Sequence, residues 1–301
     1  MNQKIAFLIL AHNDPKMLSA LVHALDYERF DIYIHVDAKS DINLFNFSYY
    51  NLRYSKLFIL DNRERVYWGD YSIVQATLNM YRKASIREYC RYVTLSGNDY
   101  PLKSNDEIYA RLTQNRLEYI MGMPSLIPEK VSNYYFNKLG FFSKFLTHLF
   151  AILHIKRNKK PLVINGIEHT IYFAPQWHAL SNESVSYILN TIDNNKKTIE
   201  RFFKYSFAPD ELLIPTLIFN SKFKDNTLKS QFPKGTHYNE MPAIHYINYE
   251  PIVQVFDDSC FEDLINSGKL FARKLNSKTS ITLIELLNDN IHNKNIDNYN
   301  N

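Results

Sequence analysis

Two short segments in the second half of the chain carry side chains suited to proton transfer and to phosphate binding. Asp210 and Glu211 follow Pro209 at the start of an apolar stretch, and a carboxylate at a helix start is easily aimed into a cleft. We expect Asp210 to cap that helix. Arg273 offers a planar fork of N–H donors that fits phosphate oxygens, and Lys274 adds a compact charge. Taken alone, such a basic pair is more often the solvated end of an element.

Two more aspartates, Asp37 and Asp99, follow predicted strands in the first hundred residues. Apolar strand patterns alternate there with one-sided helix patterns, which indicates an α/β fold with a mostly parallel central sheet flanked by helices. The predicted strands cover residues 5–10, 31–36, 57–60 and 91–95, and the predicted helices cover 16–25, 72–83 and 105–112. Such sheets bind ligands beyond the carboxyl ends of their strands. We therefore expect both aspartates near a ligand, with turn formation and capping as the alternative.

The composition of the 301 residues excludes several classes of protein. Hydrophobic residues make up 46% and charged residues 22%, as in ordinary globular proteins. The chain has only 7 glycines and neither a G-x-G-x-x-G nor a P-loop pattern, so the usual nucleotide-binding loops lack support. A net charge of +4 is too small to indicate nucleic-acid binding.

The cysteines and the first residues bear on the cellular compartment. Cys90 and Cys260 cannot form a disulfide framework, and no zinc-binding spacing occurs, which favours the reducing cytoplasm. The apolar run at residues 5–10 spans six residues, too short for a signal peptide or for the ~20 residues of a membrane span. We therefore expect a cytoplasmic protein whose first apolar run is a buried strand.

A basic, aromatic insertion lies between residues 130 and 165. Residues 130–167 contain seven Lys or Arg and no acid, and residues 134–155 are rich in Phe, Leu and Tyr. One interpretation is a loop and helix that cover the substrate; the other is an interfacial helix that meets anionic headgroups and acyl chains. We interpret residues 1–276 as one domain and 277–301 as a C-terminal helix with an Asn-rich tail, expected to be disordered from residue 289.

Several segments in a fixed order resemble one known family. They are HVDAKS at 35–40, Arg63, WGDYS at 68–72, LSGNDYPLKS at 95–104, QW at 176–177, FAPDE at 207–211 and LFARK at 270–274. Together they resemble the core-2/I-branching N-acetylglucosaminyltransferases and peptide O-xylosyltransferases of glycosyltransferase family 14, over residues 4–276. The resemblance implies a GT-A fold, inverting chemistry and a UDP-sugar donor, with no metal or other cofactor. The chain contains no D-x-D, the pair with which other GT-A enzymes hold a cation.

The resemblance also implies roles for single residues. Glu211 corresponds to the base that takes the proton of the acceptor hydroxyl. Arg273 and Lys274 correspond to cations that neutralise the departing diphosphate. His12 and Asp37 lie where the uridine binds, although a histidine such as His12 can also be an ordinary hydrogen-bonded turn residue.

Five further residues are candidates for contacts with the donor or acceptor. Arg63 is expected to assist nucleotide binding. Asp99 stands where a D-x-D would otherwise sit and could accept hydrogen bonds from sugar hydroxyls. Trp68 and Trp177 offer flat apolar faces to sugar C–H groups, or else belong to the core. Tyr249 falls where the branching enzymes carry an acceptor-site Trp, a departure that bears on acceptor recognition.

The sequence thus predicts a metal-independent, inverting glycosyltransferase that forms a β-linkage on a hydroxyl of a bacterial surface glycan. The expected donor is UDP-GlcNAc, with UDP-xylose as the alternative. Without the membrane anchor and disulfides of the animal enzymes, the chain resembles a bacterial version that acts on lipid-linked precursors at the inner face of the cell membrane. A non-catalytic glycan- or nucleotide-binding protein and a retaining, metal-dependent enzyme are the competing hypotheses.

Overall fold

The structure is a computed structural model, and it describes residues 3–124, 129–137, 141–157, 160–229, 238–249 and 252–299. The strands are β1 (Ile5–Ala11), β2 (Phe30–Val36), β3 (Lys56–Ile59), β4 (Arg91–Ser96), β5 (Asp99–Pro101), β6 (Glu118–Met121), β7 (Met123–Pro124), β8 (Leu162–Ile164), β9 (Ile167–His169), β10 (Tyr172–Phe173), β11 (Ala179–Ser181), β12 (Thr227–Lys229), β13 (His245–Ile247) and β14 (Phe271–Arg273). The helices are α1 (Pro15–Ala24), α2 (Tyr71–Ser85), α3 (Asn105–Thr113), α4 (Glu129–Ser132), α5 (Phe141–Ile152), α6 (Asn182–Asn194), α7 (Lys196–Phe203), α8 (Leu213–Phe219), α9 (Phe261–Asn266) and α10 (Ile281–Tyr299).

The central sheet has seven strands in the order β12-β6-β11-β4-β1-β2-β3. The β4-β1-β2-β3 half is parallel throughout, whereas β11 runs antiparallel to both of its neighbours. The predicted α/β fold with a mostly parallel sheet is therefore confirmed. Because parallel strands end at the same edge, the turns that follow β1, β2 and β4 meet there.

Helices cover both faces of the sheet, and the strand pattern explains why. Successive side chains of a strand point to opposite faces, so Leu8 of β1 packs with α2, α6 and α8, while Phe7 packs with α1 and α3. Both side chains are fully buried, and each such burial stabilises the fold by about 1.5–3 kcal/mol. A strand that is apolar on both faces thus requires a helical layer on each side.

A second, three-stranded sheet, in the order β13-β14-β5, is fastened to the end of β4. β5 begins only three residues after β4 ends, and it pairs antiparallel with β14 from the far end of the domain. In this register Arg273 lies opposite Asp99. The small sheet therefore carries a cation from late in the chain to the carboxyl edge of the central sheet.

Most of the predicted elements are found within one to three residues of their expected bounds, but the C-terminal prediction differs. The helix α10 continues to Tyr299, across most of the stretch that we expected to be disordered from residue 289. Its first half is anchored by the fully buried Leu283 and Leu287, and a helix that is already nucleated extends at little cost. The insertion at 130–165 contains α4, α5 and part of a hairpin; its residues 138–140 and 158–159 lie outside the described ranges.

No helix in the described ranges has both the length and the apolar character that crossing a bilayer requires.

Candidate active site

A cleft opens at the carboxyl edge of the central sheet, beyond β1, β2 and β4. Backbone hydrogen bonds join these strand ends, since Asp37 N donates to Ala11 O and Gly97 N donates to Leu10 O, each at 2.8 Å. The cleft encloses a cavity of about 260 Å³. The predicted site residues that line it are His12, Asp37, Trp68 and Arg273. Residues far apart in the sequence are thus brought to one cavity.

Arg273 is held in a fixed position at this cleft. Its Nη1 donates a hydrogen bond to Asp99 Oδ1 at 2.8 Å. Its guanidinium carbon lies 4.7 Å from the ring centre of Trp177, a cation–π contact. A guanidinium carries five N–H donors, so donors remain for an anion in the cleft.

Asp99 does not reach the cavity, which corrects the prediction that it would bind sugar hydroxyls. Its side chain is fully buried, and it accepts further hydrogen bonds from Ser96 N at 2.7 Å and from His245 Nε2 at 3.0 Å. Burial by itself would raise the pKa of Asp99, but the contacts with His245 and Arg273 hold that pKa below its usual value. Because both carboxylate oxygens have protein partners, Asp99 acts as a positioning residue for Arg273.

Positive charge converges on His12. Burial lowers the pKa of His12, and the charges of Lys274, Arg273 and Lys39 lower it further, whereas Asp37 raises it. The charge of Lys274 therefore reaches His12 together with that of Arg273, although Lys274 is not among the residues that line the cavity. Three cations face two carboxylates here, Asp37 and the buried Asp99, and the remaining positive charge suits an anionic ligand such as a diphosphate.

Arg63 lies behind the cleft rather than in it. Its Nε and Nη2 donate to backbone carbonyls of the turn at residues 36–40, at 2.6–2.9 Å. The same turn is closed by Asp37 Oδ1, which accepts from Lys39 N at 2.8 Å and from Val66 N at 3.3 Å. Any help that Arg63 gives to nucleotide binding is therefore indirect, because it shapes the turn that presents Asp37.

Glu211 ends a single 3₁₀ turn, Pro209–Glu211, that is fastened to the wall of the cleft. Ala208 N donates to Gly69 O at 3.1 Å, and Ala174 N donates to Glu211 O at 3.0 Å. Gly69 and Ala174 each lie within two residues of a side chain that lines the cavity. Gly69 has a φ of +68°, a conformation that favours glycine. The turn is therefore held against two segments of the cleft.

The carboxylate of Glu211 lies beside the cavity rather than inside it. Glu211 is not among the residues that line the cavity, and Lys130 Nζ lies 3.7 Å from Glu211 Oε2. This Nζ is also 4.1 Å from the ring centre of Phe173. Both partners of the ion pair remain about one-fifth exposed, so a cation orients the carboxylate and part of the pair stays accessible to solvent.

Asp210 does not cap a helix, which corrects the expectation from the sequence. Neither the 3₁₀ turn nor the following α8 has a side-chain cap. Asp210 Oδ1 is buried without a hydrogen-bond partner among the described residues. Burial and the neighbouring charge of Glu211 raise the pKa of Asp210 to about 7. The turn thus presents two carboxyl groups with different environments.

The two tryptophans occupy different places. Trp68 is 79% exposed at the mouth of the cleft, so its ring is available to a ligand. Trp177 is half-buried beneath Arg273, and its Nε1 donates to Ser96 Oγ at 3.4 Å. Tyr249 lies beyond β13 and is not among the described residues that line the cavity. Of these three residues only Trp68 lines the cavity, while Trp177 supports Arg273 from behind it.

His35 is a cleft residue that the sequence analysis did not single out. It is fully buried and lines the cavity. Its Nε2 accepts from Glu64 N at 2.8 Å, and burial lowers the pKa of His35 to about 4. The ring is therefore neutral with a proton on Nδ1, which has no hydrogen-bond partner within the described part of the chain. The HVDAKS motif contained the signal, but the strand pattern placed His35 in the interior.

Metal-ligating side chains do not cluster in the described ranges: no group of three or more His, Cys, Asp or Glu is arranged to hold an ion there. The carboxylates of Asp37 and Asp99, at the carboxyl ends of the strands, already accept hydrogen bonds from backbone N–H groups and pair with cations. An anion in this cleft would meet the cations that line it, Arg273 and Lys39.

Comparison with known proteins identifies related sequences. The sequence model described as "Core-2/I-Branching enzyme" matches residues 5–247. The chain is 26% identical to beta-1,3-galactosyl-O-glycosyl-glycoprotein beta-1,6-N-acetylglucosaminyltransferase 4 of Mus musculus, over 94% of this chain and 64% of the relative. It is 23% identical to xylosyltransferase 2 of Homo sapiens, over 96% of this chain but 34% of the relative. It therefore spans about one- to two-thirds of the length of these relatives.

Among solved structures, the apo form of mouse xyloside xylosyltransferase 1 matches 92% of this chain and 99% of its own, at 12% identity and a TM-score of 0.37. The family assignment rests on the sequence match, which covers well over half of the chain and includes the strand ends and the turn that form the cleft. The chain belongs to the Core-2/I-Branching enzyme family.

Proposed function

We propose that this protein is a glycosyltransferase that uses a UDP-sugar. The observation that carries the proposal is the electropositive cleft, in which Arg273 is held by the buried Asp99 while Glu211 lies at the wall. Two relatives are named as an N-acetylglucosaminyltransferase and a xylosyltransferase. We take UDP-GlcNAc as the donor and UDP-xylose as the alternative.

The proposed reaction is a single displacement that inverts the anomeric carbon. The acceptor oxygen forms a bond to C1 of the sugar while the bond from C1 to the diphosphate oxygen breaks. Glu211 takes the proton of the acceptor hydroxyl. The electron pair of the broken bond leaves with UDP, and Arg273 and Lys274 offset the charge that develops there. Attack from the face opposite UDP converts an α-linked donor into a β-linked product.

A screen of nucleotide sugars in the presence of EDTA tests this proposal. UDP and UDP-GlcNAc should raise the melting temperature because they bind the folded state alone; a ligand at 100 times its Kd adds about 2.7 kcal/mol. GDP-mannose is the control and should have little effect. Stronger stabilisation by UDP-xylose than by UDP-GlcNAc would select the alternative donor. Stabilisation or transfer that requires added Mn²⁺ would contradict a role for Arg273 and Lys274 as the main counter-charge.

We further propose that the acceptor is a lipid-linked surface glycan and that the protein works at the cytoplasmic face of an anionic membrane. The support is the set of large apolar side chains that the insertion exposes: Phe142, Phe145, Ile152, Leu153 and Ile155. The exposed Lys144 and Lys156 lie among them. Apolar side chains flanked by cations are typical of a surface that binds anionic lipid.

Vesicle flotation tests the membrane proposal. The protein should float with phosphatidylglycerol vesicles, much less with phosphatidylcholine vesicles, and less again in high salt, which screens exposed charges. Phe145→Ser with Ile152→Ser should weaken binding at least several-fold, since each loses about 1.5–3 kcal/mol of apolar transfer. Ile86→Ser, which alters a still more exposed residue after α2, is the control. Equal flotation with both lipids would contradict the proposal.

A further inference from the structure

Two grooves continue the cleft along the insertion. The first, which we call the aromatic groove, encloses about 580 Å³ and shares Lys39 and Trp68 with the cleft. Its aromatic lining is Tyr67, Trp68, Tyr134, Tyr135, Phe136 and Phe207. Flat aromatic faces beside a few polar groups suit the C–H faces of sugars. The aromatic groove therefore leads away from the mouth of the cleft.

The second groove, which we call the basic groove, encloses about 730 Å³ and shares Tyr134 with the aromatic groove. Among the described residues its lining contains five cations and no carboxylate: Lys156, Arg157, Lys160, Arg201 and Lys204. All but Arg157 are exposed. The nearby Glu200 is paired with Lys196 at 4.0 Å and does not line the groove. Cations of the insertion and of α7 thus face one space.

Arg157 distinguishes this groove from an ordinary solvated basic face. It is only 7% exposed, and its Nη atoms donate to Ser206 Oγ and to the carbonyl oxygens of Arg201 and Phe202, at 2.6–3.2 Å. All of these acceptors are neutral, and Arg157 has no carboxylate partner among the described residues. A guanidinium stays charged even when buried, and the neutral acceptors and the nearby rings of Tyr134 and Tyr205 stabilise this charge without neutralising it. An anion bound above Arg157 would supply the missing counter-charge.

We propose that the acceptor is a phosphate-bearing glycan, with its sugar units in the aromatic groove and its phosphate in the basic groove. This inference rests on the proposed function, because it extends the acceptor side of the same cleft. Phosphate oxygens match the chemistry of a groove lined by Arg and Lys. The phosphate could belong to the diphosphate that links a glycan to a lipid or to a phosphodiester within a soluble glycan.

The test measures binding to the full chain with UDP already saturating the cleft, so that no probe binds there. The probes share one sugar: an uncharged short-alkyl glycoside, a short-alkyl glycosyl diphosphate and a soluble sugar phosphodiester. At least one phosphate-bearing probe should bind about tenfold or more tightly than the uncharged one, the usual scale of charge-assisted hydrogen bonds. Preference for the diphosphate indicates a lipid-linked acceptor, and preference for the phosphodiester indicates a soluble one.

Paired variants locate the site. Arg201→Gln with Lys204→Gln should remove most of the tighter binding of the phosphate-bearing probe. The double variant should also raise the acceptor KM while leaving kcat and the donor KM nearly unchanged. Lys196→Gln with Lys197→Gln removes equal charge from the other end of α7, outside the groove, and should change affinity less than about threefold. Equal binding of all probes, or equal losses in both pairs, would overturn the inference. Failure of UDP to bind would instead contradict the proposed function.

Discussion

A Glu211→Gln variant should bind UDP with normal affinity and transfer sugar about 10²- to 10⁴-fold more slowly, the contribution usual for a positioned base. The amide keeps the size of the side chain but cannot take the proton of the acceptor hydroxyl. The 3₁₀ turn is held by backbone hydrogen bonds, so it should survive the change. Steady-state transfer and calorimetric titration with UDP give the two readouts.

Asp210→Asn is the matched control, because it alters the other carboxyl group of the same turn. Burial and Glu211 raise the pKa of Asp210 to about 7, so its neutral form predominates below that pH. An amide resembles the neutral form. The pH profile of Asp210→Asn should therefore follow that of the native protein below pH 7 and depart from it above pH 7, where native Asp210 ionises.

A larger loss of transfer in Asp210→Asn than in Glu211→Gln would show that our proposal assigns the proton transfer to the wrong carboxylate. A native protein that binds UDP and glycans but shows no Glu211-dependent transfer would support the non-catalytic alternative.

An Arg273→Ala variant should bind UDP about 10- to 100-fold more weakly, since a hydrogen bond to a charged group contributes about 1.5–3 kcal/mol. Transfer should fall further, because the charge on the leaving diphosphate grows as the bond breaks. Asp99 is buried and holds Arg273 through a hydrogen bond. Asp99→Asn should therefore produce part of this effect without contacting the ligand, because it releases Arg273. Calorimetric titration with UDP measures the loss of affinity in both variants.

Asp99→Asn should also lower the free energy of unfolding by about 3 kcal/mol or more, as expected when one partner of a buried ion pair is removed. Asp193→Asn breaks an exposed ion pair with Arg82 and should cost at most about 1 kcal/mol. In the double variant of Arg273 and Asp99, the losses in UDP affinity should not add, since both act through one contact. Additive losses would mean that Asp99 contacts the nucleotide by another route.

The sequence was most informative where function follows from local order. His12 and Asp37 directly follow strands whose apolar patterns are unmistakable, and parallel strands place their carboxyl ends together. Their arrival in one cleft was therefore predictable. Arg273 was found through its motif, but its location depends on pairing between strands 170 residues apart, which no local pattern reveals.

The mistaken predictions share a physical cause. The side chains of Asp99, Arg63 and Asp210 are of the types expected at a ligand or a helix cap. In the folded chain, however, Asp99 and Arg63 make tertiary contacts and Asp210 is buried, and no local pattern predicts either. The opposite error concerns His35. Its strand pattern indicated that the ring is buried in the interior, but the ring also lines the cavity. The grooves beyond the cleft depend on how the insertion folds against α7, which the charge pattern of residues 130–167 alone did not determine.

The placement of the only two tryptophans in the sequence makes the protein its own optical probe. Trp177 lies against the guanidinium at the donor end, whereas Trp68 is open to solvent where the cleft meets the aromatic groove. Ligands that fill the two ends will therefore perturb different indoles. Quenching and wavelength shifts of the intrinsic fluorescence can report the order in which the two substrates arrive, without any label.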